Sequence, residues 1–382
     1  MRALPVDIRG GPASVRILES WRPGRDGWRY GVLQVYFHAC RGSSGPKTRS
    51  FSGLAPSWRN GVANPTGAVS GGVETGRFAP STTGLPHPGT LLAALLCWLD
   101  IRSRGGRLCL RLEDLDPDRC RPEYADAIRR DLAWMGLDWD SEILQSECSE
   151  AHEAALDHLA EQGRLYPCGC SRSALRAQGD RAPDGSPRYP GTCRERLLPS
   201  AAQGGWRSVA EPLRVRLPEG RVEVLDESGE DLSQSPALTY GDPVVRRRDG
   251  AVAYHLASVV DDAAEGVSRI VRGRDLAPST PVQVSLAQLL GLQPLHYRHH
   301  LLLLERQERK WAKFHKAVGT DVLREVYDGP SLCGLLAFGC GLIDAPQPIT
   351  PRELVPEFRW SSVRQADRRL DWDGGLLRFP EA

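Results

Sequence analysis

The chain has 382 residues, 41% of them hydrophobic and 25% charged, with 49 basic against 48 acidic side chains. This is the profile of a soluble globular protein of two or three domains, and it excludes fibres and wholesale disorder; no apolar run reaches the roughly 18 residues a membrane span needs. Ten cysteines at irregular spacing exclude a secreted disulfide scaffold and point to a reducing, cytoplasmic setting.

The charge is unevenly placed. Residues 1–73 hold ten basic side chains (nine Arg and Lys47) against Asp7, Glu19 and Asp26, a net of +7; the remainder carries 39 basic and 45 acidic groups, a net of −6. This stretch is rich in Gly, Ser, Pro and Trp, lacks sustained apolar periodicity, and reads as coil at 42–46 and 67–72. Three readings compete: a transit-type leader, which the Trp and Gly content fits poorly, a disordered basic arm for nucleic acid, and an over-extended frame ahead of a GTG start at a valine such as Val73. The last is preferred, and residues 1–73 are expected to carry no chemistry.

After Val73 the pattern sharpens. Gly76–Ser81 reads as a short strand running into a turn, Gly84–Thr90 as a Gly/Pro loop, and Leu91–Leu99 as a buried helix. A strand, a glycine-bearing loop and a helix N-terminus form an anion site, because unpaired N–H groups and the positive end of the helix dipole converge there. Leu108–Leu112 is the next strand, with Glu113 to Asp116 at its carboxyl end, and helices are expected at 122–136 and 150–163. Alternating strands and helices predict a parallel sheet that binds ligands at its carboxyl edge.

Cys168-Gly-Cys170 is followed, after a loop rich in Pro, Gly and Arg, by Tyr189-Pro-Gly-Thr-Cys193. Two cysteines one residue apart and a third returning across a loop suit a tetrahedral zinc knuckle, which a small insertion needs in place of a core. Three reduced structural cysteines are the plain alternative. The fourth ligand is open from spacing alone: the Tyr189 phenol, or His152 or His158 on the neighbouring helix. Further on, Asp249-Gly250 separates the triplet Arg246–Arg248 from the apolar run Ala251–Val260, which reads as a hairpin turn into a strand. Tyr254, Asp261, Asp262, Arg272 and Asp275 sit beside apolar segments, where a pocket wall would hold them. The Arg triplet is read as a solvated face or as a basic strip for phosphates.

Together these motifs resemble the class I glutamyl-tRNA synthetases. Gly76-Arg-Phe-Ala-Pro-Ser81 with Leu85-Pro-His-Pro-Gly89 is similar to the opening of that family and its first ATP motif, and Arg111–Pro117 to its second strand. The cysteine knuckle, Arg247–Asp262 and Ile270–Leu276 resemble one truncated branch, the glutamyl-queuosine tRNA(Asp) synthetases, over roughly residues 76–320. The resemblance implies a Rossmann-like α/β class I catalytic core with a zinc-binding insertion and no anticodon-binding domain, since 69 residues follow Lys313. The expected divisions are 74–165 and 241–320 for the halves of the catalytic domain, 166–240 for the insertion, and 321–382 for a short helical segment and tail.

The implied activity is activation of L-glutamate with ATP and its esterification to queuosine at the wobble position of tRNA(Asp), by a cytoplasmic enzyme acting as a monomer. The resemblance assigns glutamate to Arg77, Phe78, Ala79, Pro80, Ser81, Glu113, Tyr254 and Arg272. It assigns ATP to His87, Gly89, Thr90, Lys310 and Lys313, with His87 and Lys313 catalytic and Mg²⁺ accompanying the nucleotide. Structural zinc falls to Cys168, Cys170, Tyr189 and Cys193. Three positions depart from the family pattern: Thr90 replaces the second histidine of the first ATP motif, Thr82-Thr83 follow Ser81 where proline is usual, and Ala312 replaces the hydroxyl residue between Lys310 and Lys313. Charging of tRNA(Glu), or tRNA binding by a decayed paralogue, are the competing readings.

Overall fold

The structure is a computed structural model that describes residues 15–19, 33–37, 73–305 and 319–380. The chain divides into two compact units, residues 1–47 and 48–382. In the first, β1 (Val15–Glu19) pairs antiparallel with β2 (Leu33–Phe37). The coil expected at 42–46 and 67–72 lies outside the described residues.

The second unit is built on a five-stranded parallel sheet. Its elements begin with β3 (Thr75–Phe78), α1 (Pro88–Ser103), β4 (Arg107–Leu112), α2 (Pro122–Trp134), β5 (Ser141–Leu144) and α3 (Ser149–Glu161). An intervening segment holds β6 (Leu165–Pro167), α4 (Arg172–Ala177), β7 (Leu213–Val215), α5 (Pro236–Thr239) and β8 (Val244–Arg246), and its strands form a separate antiparallel sheet in the order β6-β7-β8. The main sheet resumes through α6 (Tyr254–Ala264), β9 (Arg269–Gly273), α7 (Thr280–Leu289) and β10 (His296–His300), giving the order β10-β9-β3-β4-β5. The strand order reverses between β3 and β9, and in such sheets ligands bind in the crevice at the carboxyl ends of those strands.

The two faces of the sheet follow from strand alternation. On β4, Leu108, Leu110 and Leu112 join α1, α2 and the C-terminal helices in one core. Cys109, Arg111 and Glu113 point to the opposite side, where α6 lies. Helix α1 is apolar nearly all round, as its depth between the sheet and the C-terminal segment requires. A second core joins α3, α6 and α7 to the small sheet.

From Tyr254 onward the run Ala251–Val260 is a helix, not the expected strand. A tight turn is present, with Arg247 N–H donating to Ala251 O and Arg246 bridging Val252, but Tyr254 then starts α6. The misreading has a physical cause: residues 256–262 are all buried, so the helix shows no polar stripe by which to tell its period.

After β10, β11 (Leu303–Leu304) is followed by α8 (Thr320–Val326), α9 (Gly329–Cys340) and α10 (Pro351–Leu354), then β12 (Arg368–Arg369) and the pair β13 (Asp371–Asp373) and β14 (Leu376–Arg378). The tail docks on the core formed by α1, α9 and the main sheet. Strand β12 pairs with β11, Leu370 and Leu377 are buried beside α1 and α9, and Trp360 Nε1 donates to buried Asp100 of α1 at 2.6 Å. No described helix is long and apolar enough to cross a membrane.

Candidate active site

Three arginines converge on the α6 side of the sheet at the strand crossover. Arg77 of β3, Arg111 of β4 and Arg272 of β9 are each at most 5% exposed. Each is flanked in sequence by a residue that faces the other core, so strand alternation alone sends the cations to one face.

Their electrostatic circumstances differ. Arg77 Nε donates to Asp262 Oδ1 at 3.2 Å, and Arg111 Nη1 donates to the same oxygen at 2.7 Å and to Glu265 Oε1 at 2.9 Å. Asp262 is buried, which would raise its carboxyl, but Arg111 and Arg77 outweigh burial and hold it below the usual range. Arg272 has no carboxylate among its hydrogen-bond partners: Nε donates to His299 Nε2 at 3.1 Å, and Nη2 to Thr280 Oγ1 at 2.7 Å and to Leu276 O at 3.4 Å. Its Nη1 is buried without a hydrogen-bond partner, as is Nη2 of Arg111. A buried guanidinium bonded only to neutral groups and holding one donor in reserve is arranged for an anion from outside.

Glu113 follows β4 and lies 3.6 Å from Arg111 Nη2. Burial pushes its carboxyl up to about 7, with Arg111 and Arg77 pulling the other way. Tyr254, at the first turn of α6, is 36% exposed and acts electrostatically on both Arg77 and Tyr297, so it stands over the same crevice. Beside it His255 is pushed down to about 4, chiefly by burial, and Nδ1 has no hydrogen-bond partner. Ser81 is exposed and pairs backbone to backbone with Glu113 across the carboxyl ends of β3 and β4. Phe78 and Pro80 are buried and Ala79 half-buried; Phe78 turns its ring into the α1 core, which leaves only its backbone to face a ligand.

His87 caps α1. Its Nδ1 accepts from Thr90 N–H at 3.4 Å, with Pro88 at the start of the helix. A lone pair on Nδ1 places the proton on Nε2, so the ring presents a donor beside the positive end of α1. Gly89 makes room for it: a Cβ there would stand 3.1 Å from the imidazole. Lys310 and Lys313 lie outside the described residues.

The knuckle forms a distinct cluster. The sulfurs of Cys168, Cys170 and Cys193 lie within 4.8 Å of one another, and no other His/Cys/Asp/Glu group among the described residues has metal-holding geometry. The Tyr189 hydroxyl is 3.7 Å from Cys168 Sγ and accepts from Cys193 N–H at 2.8 Å. Arg214 donates to Cys168 Sγ at 3.2 Å and lies over the Tyr189 ring. Gly241, at φ 73, lets the Tyr189 carbonyl approach where any Cβ would clash.

His152 and His158, the other ligands that spacing allowed, are elsewhere. His152 Nε2 meets Asp261 Oδ1 at 2.6 Å in a buried set completed by Gln145, and His158 meets Gln162. Of the Arg triplet, Arg246 donates to the carbonyls of Val209 and Glu211, Arg247 pairs with Asp249, and Arg248 is exposed. Asp275 is exposed just beyond the end of β9.

Asp262, expected beside an apolar segment as part of a pocket wall, does meet Arg77 and Arg111, whereas Arg111, His299, Thr280 and Asp226 carry no site assignment from sequence. Arg111 was within reach, because alternation with Glu113 on a recognised strand puts both on one face. The others depend on contacts between distant segments.

Comparison with known proteins gives a consistent answer. A model of the catalytic domain of class I tRNA synthetases (E and Q) matches residues 73–336. A glutamyl-Q tRNA(Asp) synthetase of Symbiobacterium thermophilum is 42% identical over 310 residues, covering 77% of this chain and 95% of that protein. Proteins of the same name from Nitratidesulfovibrio vulgaris and Thiobacillus denitrificans are 40% and 44% identical, covering 90% and 78% of their lengths. Among solved structures, a glutamate tRNA ligase of Elizabethkingia meningosepticum with its amino acid superposes with a TM-score of 0.64 at 24% identity, over 78% of this chain and 66% of that one.

Proposed function

We propose a reaction for this chain from one premise: it belongs to the class I tRNA synthetases of the glutamate and glutamine type, in the branch of the glutamyl-Q tRNA(Asp) synthetases. It is accordingly a ligase. The reaction is ATP-dependent activation of L-glutamate as glutamyl-adenylate, then transfer of the glutamyl group to queuosine at the wobble position of tRNA(Asp).

The observation that carries the amino-acid half is the uncompensated Arg272. Its hydrogen-bond partners are neutral and Nη1 is unpaired, so a substrate carboxylate completes it; Glu113 meets the ammonium, and Tyr254 and Ser81 add hydrogen bonds. A charged pocket of this kind rejects glutamine, which lacks the second carboxylate, and aspartate, which falls one methylene short. The relatives' names carry the choice of queuosine-bearing tRNA(Asp) over tRNA(Glu).

In the first step the glutamate α-carboxylate attacks the α-phosphorus of ATP and pyrophosphate leaves. Negative charge builds on the phosphoryl oxygens, so catalysis is positioning and electrostatic stabilisation. His87 Nε2–H and the N-terminus of α1, with Gly89 and Thr90 lining it, meet that charge. By family resemblance Lys310 and Lys313 would add positive charge to the ATP site, and Mg²⁺ bound with the nucleotide would neutralise further phosphate charge. In the second step a queuosine diol hydroxyl attacks the mixed anhydride, an ester forms and AMP leaves.

The Cys168, Cys170 and Cys193 thiolates with the Tyr189 phenol fit zinc, which supplies a structural staple. Chelation, or Cys193→Ser, is expected to remove one zinc per chain and to raise hydrogen exchange across residues 166–194 while the parallel sheet keeps its protection. Metal analysis with exchange mass spectrometry checks this.

The Glu113 carboxyl gives the reaction a pH dependence. It must be ionised to pair with an ammonium, and unliganded it titrates at about 7. The KM for glutamate is therefore expected to fall as pH rises through 7 and to level off above it, being about tenfold above the plateau at pH 6. Glu113→Gln is expected to raise KM and flatten this profile in pyrophosphate exchange.

Labelled glutamate offered with ATP to queuosine-bearing tRNA(Asp), queuosine-free tRNA(Asp) and tRNA(Glu) tests the whole reading. Label on the first alone supports it; label on tRNA(Glu) replaces it with a charging enzyme. No label and no exchange would indicate a decayed site, to which Ala312 would then be the first clue.

A further inference from the structure

Arg272 owes its place to a chain of groups that begins far from it in sequence. His299 is its register partner on the adjacent strand β10, so both side chains stand on the same face of the sheet. Asp226 arrives from the segment between β7 and α5. Its Oδ1 accepts the backbone N–H of His299 at 3.1 Å and that of Ser228 at 2.9 Å, and its Oδ2 lies 2.6 Å from His299 Nδ1. All three side chains are buried.

The hydrogen-bond directions are forced. Burial would raise the Asp226 carboxyl, but the bonds from His299 and Ser228 outweigh it and hold it down to about 2, so it is an acceptor and Nδ1 carries a proton. The neighbours of Nε2 are Arg272 Nε at 3.1 Å and Thr280 Oγ1 at 3.3 Å. An arginine Nε–H only donates, so Nε2 must present its lone pair and the ring must be neutral. Burial and the Arg272 charge lower the His299 pKa against the opposing pull of Asp226, with Glu230 also raising it weakly, which agrees with a neutral ring. The imidazolium or the other tautomer would set one N–H against another.

We infer that His299, locked by Asp226 as the Nδ1–H tautomer, is a positioning residue that aims the Arg272 guanidinium at the substrate carboxylate and so sets affinity for glutamate. The inference rests on the reading of Arg272 as a carboxylate ligand. Thr280 and the Leu276 carbonyl fix one edge of the guanidinium, His299 fixes Nε, and Nη1 is left for the ligand.

Asp226→Asn is the decisive variant because it is nearly isosteric. The amide oxygen keeps the two backbone bonds, so the NH₂ group faces Nδ1, which must then accept; the proton moves to Nε2 and confronts Arg272, as when a triad aspartate is replaced by asparagine and the histidine adopts the wrong tautomer. In glutamate-dependent ATP–pyrophosphate exchange, the KM for glutamate is expected to rise about 10- to 100-fold, with the KM for ATP unchanged. His299→Gln, which restores an acceptor near the Nε2 position, is expected to retain most of the affinity, whereas His299→Asn, which matches only the Nδ1 edge, loses it. A purely structural role would move both KM values together and would not separate Gln from Asn; either result overturns the inference.

The imidazole ¹⁵N shifts of the unmodified protein provide a test that no variant can spoil by misfolding. Protonated Nδ1 and bare Nε2 at pH 7 are expected, and an Nε2–H tautomer or imidazolium would overturn the inference. Absence of glutamate-dependent exchange in the unmodified enzyme would instead remove the reading of Arg272 beneath it, a failure distinct from an unchanged KM in Asp226→Asn.

Discussion

Arg111→Met is expected to cost about 3–5 kcal/mol of folding stability, the range seen when one partner is removed from a buried ion pair. Arg111 is fully buried and lies between Asp262 and Glu265, with Glu113 on its outer side. Arg77 remains on Asp262 in the variant, but Glu265 is left buried without its cation. The methionine fills the volume and adds no compensating charge, so the penalty is electrostatic rather than a cavity cost. Its pH dependence identifies it. Burial already holds the Glu265 carboxyl above its ordinary range against the pull of Arg111, and Arg111 with Arg77 holds Asp262 below its range; removing Arg111 pushes both upward, so the variant recovers stability as pH falls and these groups take up protons. The deficit relative to the parent chain is therefore expected to be larger at pH 8 than at pH 5, as read by urea unfolding at the two pH values. A deficit independent of pH would mean that Arg111 contributes by packing alone.

What could be read from sequence was set by the distance over which each feature acts. The turn after β3, the Pro-Gly entry to α1 and the cysteine knuckle are local patterns, and residues 76–99 and 168–193 take the expected forms. Helix α6 defeated the same reasoning because adjacent carboxylates on it serve different partners. Asp261 holds His152 and Gln145, while Asp262 holds Arg77 and Arg111, so a polar pair is buried where periodicity expects a wet face. The Asp226–His299 contact spans 73 residues and joins a polar turn to a strand; nothing at either end marks the other.

The C-terminal tail was similarly opaque from sequence. Sequence marks 321–382 only as a short helical segment and tail, whereas the structure ties the tail to specific places: Trp360 to Asp100, Asp367 to the Leu302 N–H, and β12 to β11. Asp100 also pairs with Arg269 at the base of β9. One buried carboxylate thus links the tail to the strand that carries Arg272, and residues 345–380 contribute to the same body as the crevice.

Arg272→Gln is expected to lower kcat/KM for glutamate about 10²- to 10³-fold in pyrophosphate exchange, within the 2–5 kcal/mol attached to losing one partner of a buried charge pair. The size follows from the contrast among the three arginines. Arg77 and Arg111 are neutralised by Asp262 and Glu265 within the protein, but Arg272 is bonded to a histidine, a threonine and a carbonyl, none of them charged. Its charge is the one the pocket holds in reserve, so its removal falls on the ligand more than on the fold, and the KM for ATP is expected to hold. Arg272→Lys is expected to recover little, because an ammonium cannot reach His299, Thr280 and a carboxylate from one planar fork. Discrimination supplies a second readout. If Arg272 meets the side-chain carboxylate, the neutral variant should narrow the preference for glutamate over glutamine; if it meets the α-carboxylate, both amino acids weaken together. A variant that keeps full activity with glutamate would remove Arg272 from the pocket, and with it the reason for the Asp226–His299 arrangement behind it.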